Sequence, residues 1–284
     1  MTFRVAGIAL LITAFPDSRV LALCPDSAAV AAYLADIAAA RISQGFGSAL
    51  TLSDAECARD KLARELPRLF GPRVGYKAAF TNASAQERNG LKGPAWAVLF
   101  SNQLVESGAT VPARFGAQPR YEPDLVVVVK DSGLASANSP LEALEHLEAV
   151  VPFIELPDLM LSDAAVGTAL IATNIGSRGG VLGSAIRIEP TETFLTALGT
   201  MTIVTEDDSG KELGRARGDL LMGHPMNVAM WLAKALRGAG VTLKRGDLLS
   251  LGGFRPPAAP VPGTTLTVRY IGLPGNAAVT VHFR

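Results

Sequence analysis

The sequence predicts an α+β chain, with a small helical N-terminal lobe ahead of a larger strand-rich body. Three observations carry this expectation. Ala-rich, helically periodic segments run from about Asp26 to Phe70. From Gly71 onward, short β-rich runs alternate with Gly and Pro. The 28 Gly and 18 Pro of the 284 residues supply the turns that a strand-rich body needs.

Each element has a local reason. Val30, Leu34 and Ile37 form one face of a first helix that ends toward Arg41. Ser53-Asp54-Ala55-Glu56 reads as a capping box opening a second helix, which Pro67 closes. Val74 to Phe80 reads as a strand, and Leu125 to Lys130 as a continuous apolar run suited to a central one. Ser139-Pro140 starts a helix whose stripe is Leu141, Leu144 and Leu147. Val150 to Leu156 reads as a strand. Residues 203–217 read as a hairpin turning at Asp208-Ser209-Gly210. His224-Pro225 opens a helix through Val228, Trp231, Leu232 and Leu236 that Gly238 ends. Leu248–Leu251, Thr265–Ile271 and Ala278–Phe283 are late strands. The expected division is residues 1–22, 23–70 for the helical lobe, and 71–284 for the body.

Composition excludes several classes. Hydrophobic residues are 49% and charged residues 18%, so the chain is globular and not disordered. Formal net charge is zero, which lacks the basic face of a nucleic-acid binder. No uninterrupted apolar run is long enough for a transmembrane helix. Arg4, the apolar run Val5 to Phe15 and Val20-Leu21-Ala22 resemble a secretory signal peptide, although Asp17 and Arg19 sit close to the cut. The location is cytoplasmic, or periplasmic if residues 1–22 are cleaved. Leu23 is too bulky for a good lipobox at Cys24. The plainer reading of Cys24 and Cys57 is two unrelated thiols; a disulfide between them goes with export.

The chemistry points to three acids. Glu122 and Asp124 precede the run Leu125 to Val129, and positions i and i+2 of a strand face one side. Glu155 lies among Val150, Val151, Phe153, Ile154 and Leu156. Carboxylates gathered at buried strands repel one another unless a cation joins them. Three carboxylates suit a hard ion such as Mg2+ or Mn2+. Lys77, inside an apolar strand, turns either outward to solvent or inward to a substrate carboxylate or a proton transfer. Gly176-Ser177-Arg178-Gly179-Gly180 lacks the spacing of a nucleotide-binding loop. The only histidines are His146, His224 and His282, with no nucleophile elbow, so a serine-type triad is not expected.

In order along the chain, six segments resemble the 2-keto-4-pentenoate hydratase group of the fumarylacetoacetate hydrolase superfamily, which includes 2-oxo-3-hexenedioate decarboxylases. They are Gly75-Tyr76-Lys77, Pro119-Arg120-Tyr121-Glu122-Pro123-Asp124, Val151 to Glu155, Gly223-His224-Pro225, Arg245-Gly246-Asp247-Leu248 and Phe254-Arg255-Pro256. The resemblance implies a mixed, rolled β-sheet with flanking helices. It implies Glu122, Asp124 and Glu155 as metal ligands, a small 2-oxo acid substrate and a metal-stabilised enolate. It gives Lys77 the substrate carboxylate or a proton transfer, and Ser177 a catalytic place one step along from the family's serine. Arg255 offers charge to a second substrate carboxylate. The implied activity is a lyase, a hydratase or decarboxylase acting on an acid such as 2-oxopent-4-enoate; the alternative is a non-catalytic binding homologue. A homo-oligomer is expected by the same resemblance. Two departures stand out: Leu91 to Trp96 carries no acid, and the family's Asn-Ala-Ser turn reads Asn174-Ile175-Gly176-Ser177. The superfamily's C–C hydrolases use an early His-Glu pair, and no His occurs before His146.

Overall fold

A computed structural model describes residues 24–47, 49–162 and 167–284. The leader-like segment therefore lies outside the described residues. The helices are α1 (Ser27–Ala38), α2 (Leu52–Glu65), α3 (Pro67–Phe70), α4 (Ala83–Arg88), α5 (Pro140–Glu145), α6 (Gly167–Ala172), α7 (Glu192–Thr200) and α8 (Pro225–Gly238). The strands are β1 (Arg73–Ala79), β2 (Ala95–Phe100), β3 (Leu104–Glu106), β4 (Ala109–Val111), β5 (Glu122–Val129), β6 (Leu147–Glu155), β7 (Gly180–Leu182), β8 (Ile186–Arg187), β9 (Thr202–Glu206), β10 (Glu212–Arg217), β11 (Leu248–Ser250), β12 (Thr265–Ile271) and β13 (Ala278–Phe283).

The strands form two mixed sheets. The larger runs β2-β1-β11-β5-β6-β7-β3, with β8 also on β6; the smaller runs β10-β9-β12-β13-β4. β5 is central and apolar because both its faces are covered, which is why Leu125 to Val127 read as an unbroken hydrophobic run. Leu266, Val268 and Tyr270 alternate inward along β12, the period of a strand buried on one face. The mixed α+β class with a curled sheet and flanking helices is as expected.

The helix starts follow their side chains. The cap of α2 is Thr51, two residues before the expected Ser53, and Asp54 at N3 closes the capping box. Thr51 wins because its hydroxyl accepts from the Asp54 N–H while the Asp54 carboxylate accepts from the Thr51 N–H. The ring of His224 caps α8 by accepting from the Met226 N–H, with Pro225 in the first turn.

The two cysteines are bonded. Cys24 and Cys57 form a disulfide across a sequence separation of 33, with Cα atoms 5.5 Å apart. This corrects the reading of two unrelated thiols. Spacing carries no pairing information; α1 and α2 bring the two together by packing Val30, Tyr33, Leu62 and Leu66 into one core. The Lys61 ammonium also donates to the Pro25 carbonyl at 2.8 Å. The inner face of α2, Ala55 and Ala58, packs on Ile171, Ala172 and Ile175, with Phe80 beside them. Buried Arg59 stacks on Trp96 of β2, its guanidinium 3.5 Å from the ring centre.

Candidate active site

The acid trio gathers at the ends of β5 and β6. In register, Glu122 faces Glu155 directly across the antiparallel pair, and Asp124 faces Phe153. Asp124 and Glu155 are fully buried, at 0% and 1% exposure, while Glu122 is half-buried and reaches a cavity. Gly253 makes that placement workable, because a Cβ there would collide with the Glu122 carboxylate.

Lys77 turns inward. It is 2% exposed, and its ammonium pairs with Glu155 Oε1. The register explains how: Lys77 of β1 sits beside Ser250 of β11, and Ser250 sits beside Val126 of β5. Ser250 Oγ donates to Asp124 Oδ2 at 2.6 Å. Asp124 Oδ1 accepts the backbone N–H groups of Leu125, Leu251 (3.2 Å) and Gly252 (2.9 Å). Gly252 reaches this position with φ +100°, a backbone that a side chain would strain.

The electrostatics are one-sided. Were all three carboxylates ionised, they and the one ammonium would carry a formal charge of −2 at the site. Burial first, and then the Glu155 charge, push the Asp124 carboxyl up to about 7. The same two causes hold Glu122 well above the usual carboxylate range. For Lys77, burial alone would lower the ammonium, but Glu155 and Glu122 outweigh it and raise it. Glu155 Oε2 is buried without a hydrogen-bond partner. A divalent cation would neutralise the cluster, and the orphaned oxygen and the proton-hungry acids fit one. The fit is through Glu122 and Glu155 first, since Asp124 Oδ1 is already saturated by backbone donors. The trio is not a ready-made cage: among the described residues, no group of three or more His, Cys, Asp or Glu side chains stands disposed to hold a metal.

Above the acids lies a cavity of about 380 Å³, within the ordinary range for a small-molecule site. Lys77 and Glu122 form its floor, Phe80, Leu159, Leu170 and Ile175 its apolar wall, and Arg88 and Arg255 its cationic positions. Phe80 and Ile175 have φ of +57° and +52°. Such backbone is rare for bulky or β-branched residues and persists only where the surroundings impose it. Here Gln86 donates to the Phe80 carbonyl, and the Asn174 amide bridges the N–H and C=O of Val98 at 2.8 and 3.0 Å.

The sequence-derived residues are thus partly assembled. Lys77, Glu122, Asp124 and Glu155 come together, and Arg255 lines the same cavity. The Arg255 guanidinium lies against Gly214 of β10. Ser177 does not reach this cavity. It lines a separate cleft with Tyr33, Asp158 and Arg178 that has room for about 10 Å³, one water at most. The left-handed turn at Asn174 to Gly176 is the reason, since it presents Ile175 and not Ser177 to the wall. Sequence reading missed Arg88, Phe80 and Leu170, whose roles depend on the folding of α4 and α6 over the sheet.

No family model matches the chain. A 4-oxalocrotonate decarboxylase from Pseudomonas sp is 29% identical over 226 residues, covering 76% of this chain and 84% of that one. A 2-keto-4-pentenoate hydratase from Burkholderia vietnamiensis is 27% identical over 215 residues, covering 75% and 80%. Among solved structures, the 4-oxalocrotonate decarboxylase from Pseudomonas putida G7, complexed with magnesium and adipate, superposes with a TM-score of 0.77 at 23% identity, over 90% of this chain and 96% of that one. Fumarylpyruvate hydrolase from Pseudomonas aeruginosa, complexed with Mn2+ and pyruvate, superposes at 0.55 with 16% identity, over 75% and 89%. The chain is accordingly a relative of the 2-keto-4-pentenoate hydratases and 4-oxalocrotonate decarboxylases, on the fold of the fumarylacetoacetate hydrolase superfamily.

Proposed function

We propose that this protein is a divalent-metal-dependent lyase, a hydratase or decarboxylase, acting on a 2-oxo or 2-hydroxydienoic acid. The observation that carries the reading is the trio of acids, two of them fully buried and Glu122 reaching the cavity, with one lysine at the floor of an apolar cavity. Glu122 and Glu155, with Asp124 through Oδ2, would hold Mg2+ or Mn2+. When bound, the ion supplies a Lewis acid that draws negative charge onto the oxygens of a chelating 2-oxo acid. Lys77 stays protonated beside Glu155, placed to bind the substrate carboxylate or to hand over a proton. The apolar wall excludes water from the middle of the substrate and so strengthens the charge interactions at the floor.

Calorimetric titration of Mg2+ and Mn2+, with and without oxalate as a mimic of the substrate head, tests this. Wild type is expected to bind oxalate only with metal, and Glu122→Ala and Glu155→Ala to lose that binding. Folded wild type without metal binding would sink the reading.

Arg255 offers a charge for a second carboxylate, which would make a 2-oxo dicarboxylic acid the better substrate. Arg255→Ala is then expected to raise KM for a dicarboxylic substrate about tenfold or more, the scale of a lost charged hydrogen bond, and to spare a monocarboxylic one. Equal KM values for both acids would remove Arg255 from recognition. A second reading, a binding protein without turnover, is favoured by one observation: the turn carries Gly176 at the place of the serine in the related Asn-Ala-Ser turn, and the cavity wall there is Ile175, with Ser177 turned into a separate cleft. Metal-dependent oxalate binding with no turnover of 2-hydroxydienoates or 2-oxo dicarboxylic acids would select it.

The disulfide favours export over a cytoplasmic location, because such bonds persist in oxidising compartments. No helix among the described residues is long and apolar enough to cross a membrane.

A further inference from the structure

We propose that Tyr270 is a positioning residue for the acid cluster, holding Glu122 and Glu155 in register from the opposite sheet. The inference rests on the metal-site reading above. Tyr270 belongs to β12 of the smaller sheet and is completely buried. Its ring crosses to the larger sheet, and its hydroxyl enters the β5–β6 pair at Asp124 and Phe153. The hydroxyl accepts from the Phe153 N–H at 3.2 Å, and its single proton is shared between the Phe153 carbonyl at 3.0 Å and the Asp124 carbonyl. Phenylalanine would fill the same core space beside Leu266 and Val268, so packing alone does not account for the hydroxyl.

The place of the clamp explains its use. Asp124 and Phe153 face each other two pairs in from Glu122 and Glu155, where β5 begins and β6 ends. Like charges directly opposite on neighbouring strands push them apart. One pair lies between, Pro123 opposite Ile154; Pro123 has no N–H, and its carbonyl accepts from the Phe254 N–H at 2.8 Å on the other side of β5, so it adds nothing that ties β5 to β6. An inserted hydroxyl that bonds both strands resists that splaying without touching the substrate.

The test is a titration of Mg2+ with oxalate into wild type, Tyr270→Phe and Val268→Ala. Val268 lies on the same strand and the same inward face but its side chain offers no hydrogen bond, so its truncation lowers stability through a cavity while leaving the hydroxyl's bonds to β5 and β6 in place. Tyr270→Phe is expected to bind about tenfold more weakly, the scale of one lost neutral hydrogen bond, while Val268→Ala binds like wild type despite its lower Tm. Wild-type affinity in Tyr270→Phe, or an equal loss in Val268→Ala, overturns the proposal. Folded wild type that binds no metal overturns the metal reading and this one with it. If Tyr270→Phe does not fold, hydrogen exchange on wild type decides: the Phe153 amide is expected to slow when Mg2+ and oxalate are added, and an unchanged rate overturns the proposal.

Discussion

Lys77→Met is expected to abolish turnover by at least about 100-fold, the scale of a lost proton-transfer group, and to destabilise the protein at neutral pH. Among the described residues, the ammonium is the only positive charge paired with the acid cluster, and it contacts Glu155 directly. Removing one partner of a buried pair typically costs about 3–5 kcal/mol. Part of that loss is relieved when the acids take up protons, which sets the pH dependence. Asp124 is raised from 3.8 to about 7 by burial and by Glu155. A carboxyl whose folded value exceeds its unfolded value binds protons more tightly in the folded state. Stability then falls as pH rises through that window and is regained on acidification. Without divalent cations, Tm of the wild type is therefore expected to rise as pH drops from about 7 toward 4, and Lys77→Met to show a steeper rise. Saturating Mg2+ should flatten the slope in both, since metal and protons compete for the same oxygens. Thermal unfolding across that range, with and without Mg2+, is the measurement. A wild-type Tm that falls on acidification through this window, metal absent, would contradict the buried acid cluster.

Reduction of the Cys24–Cys57 bond is expected to have a comparable effect on stability. For a separation of 33 residues, the chain-entropy account gives roughly 3–4 kcal/mol, or a fall in Tm of roughly 6–16 °C. Calorimetry of the protein with and without dithiothreitol, and of the double variant Cys24→Ser with Cys57→Ser, reads it directly. The effect should extend beyond α1 and α2. Ala55 and Ala58 of α2 support Ile171, Ile175 and Phe80, so loosening α2 relaxes the strained cavity wall. Oxalate affinity in the presence of Mg2+ is expected to weaken on reduction, in step with the Tm. An unchanged Tm would mean that packing alone holds the helices together.

Much of the site was legible because its information is local. Glu122 and Asp124 share a face by strand period alone, and the apolar residues around Glu155 marked it as buried. The His224-Pro225 start of α8 and the hairpin at Asp208 to Gly210 followed from cap and turn chemistry. The Thr51 cap was missed by two residues because both Thr51 and Ser53 can accept a backbone N–H, and only the partner Asp54 chose between them. Strand β2 was missed as an element because its six residues are all buried, which erases the alternation that marks a strand.

By itself, then, the sequence determined which residues were acidic, which segments were buried and where most helices begin, because propensity, period and capping act within a few residues. Only the tertiary structure decided that Glu155 faces Glu122, that Lys77 turns inward to meet it, that Cys24 bonds to Cys57, and that Ile175 rather than Ser177 lines the cavity. Those outcomes depend on strand register, on packing between distant segments and on a left-handed turn held by Val98. Each is a long-range constraint that no window of neighbouring residues contains.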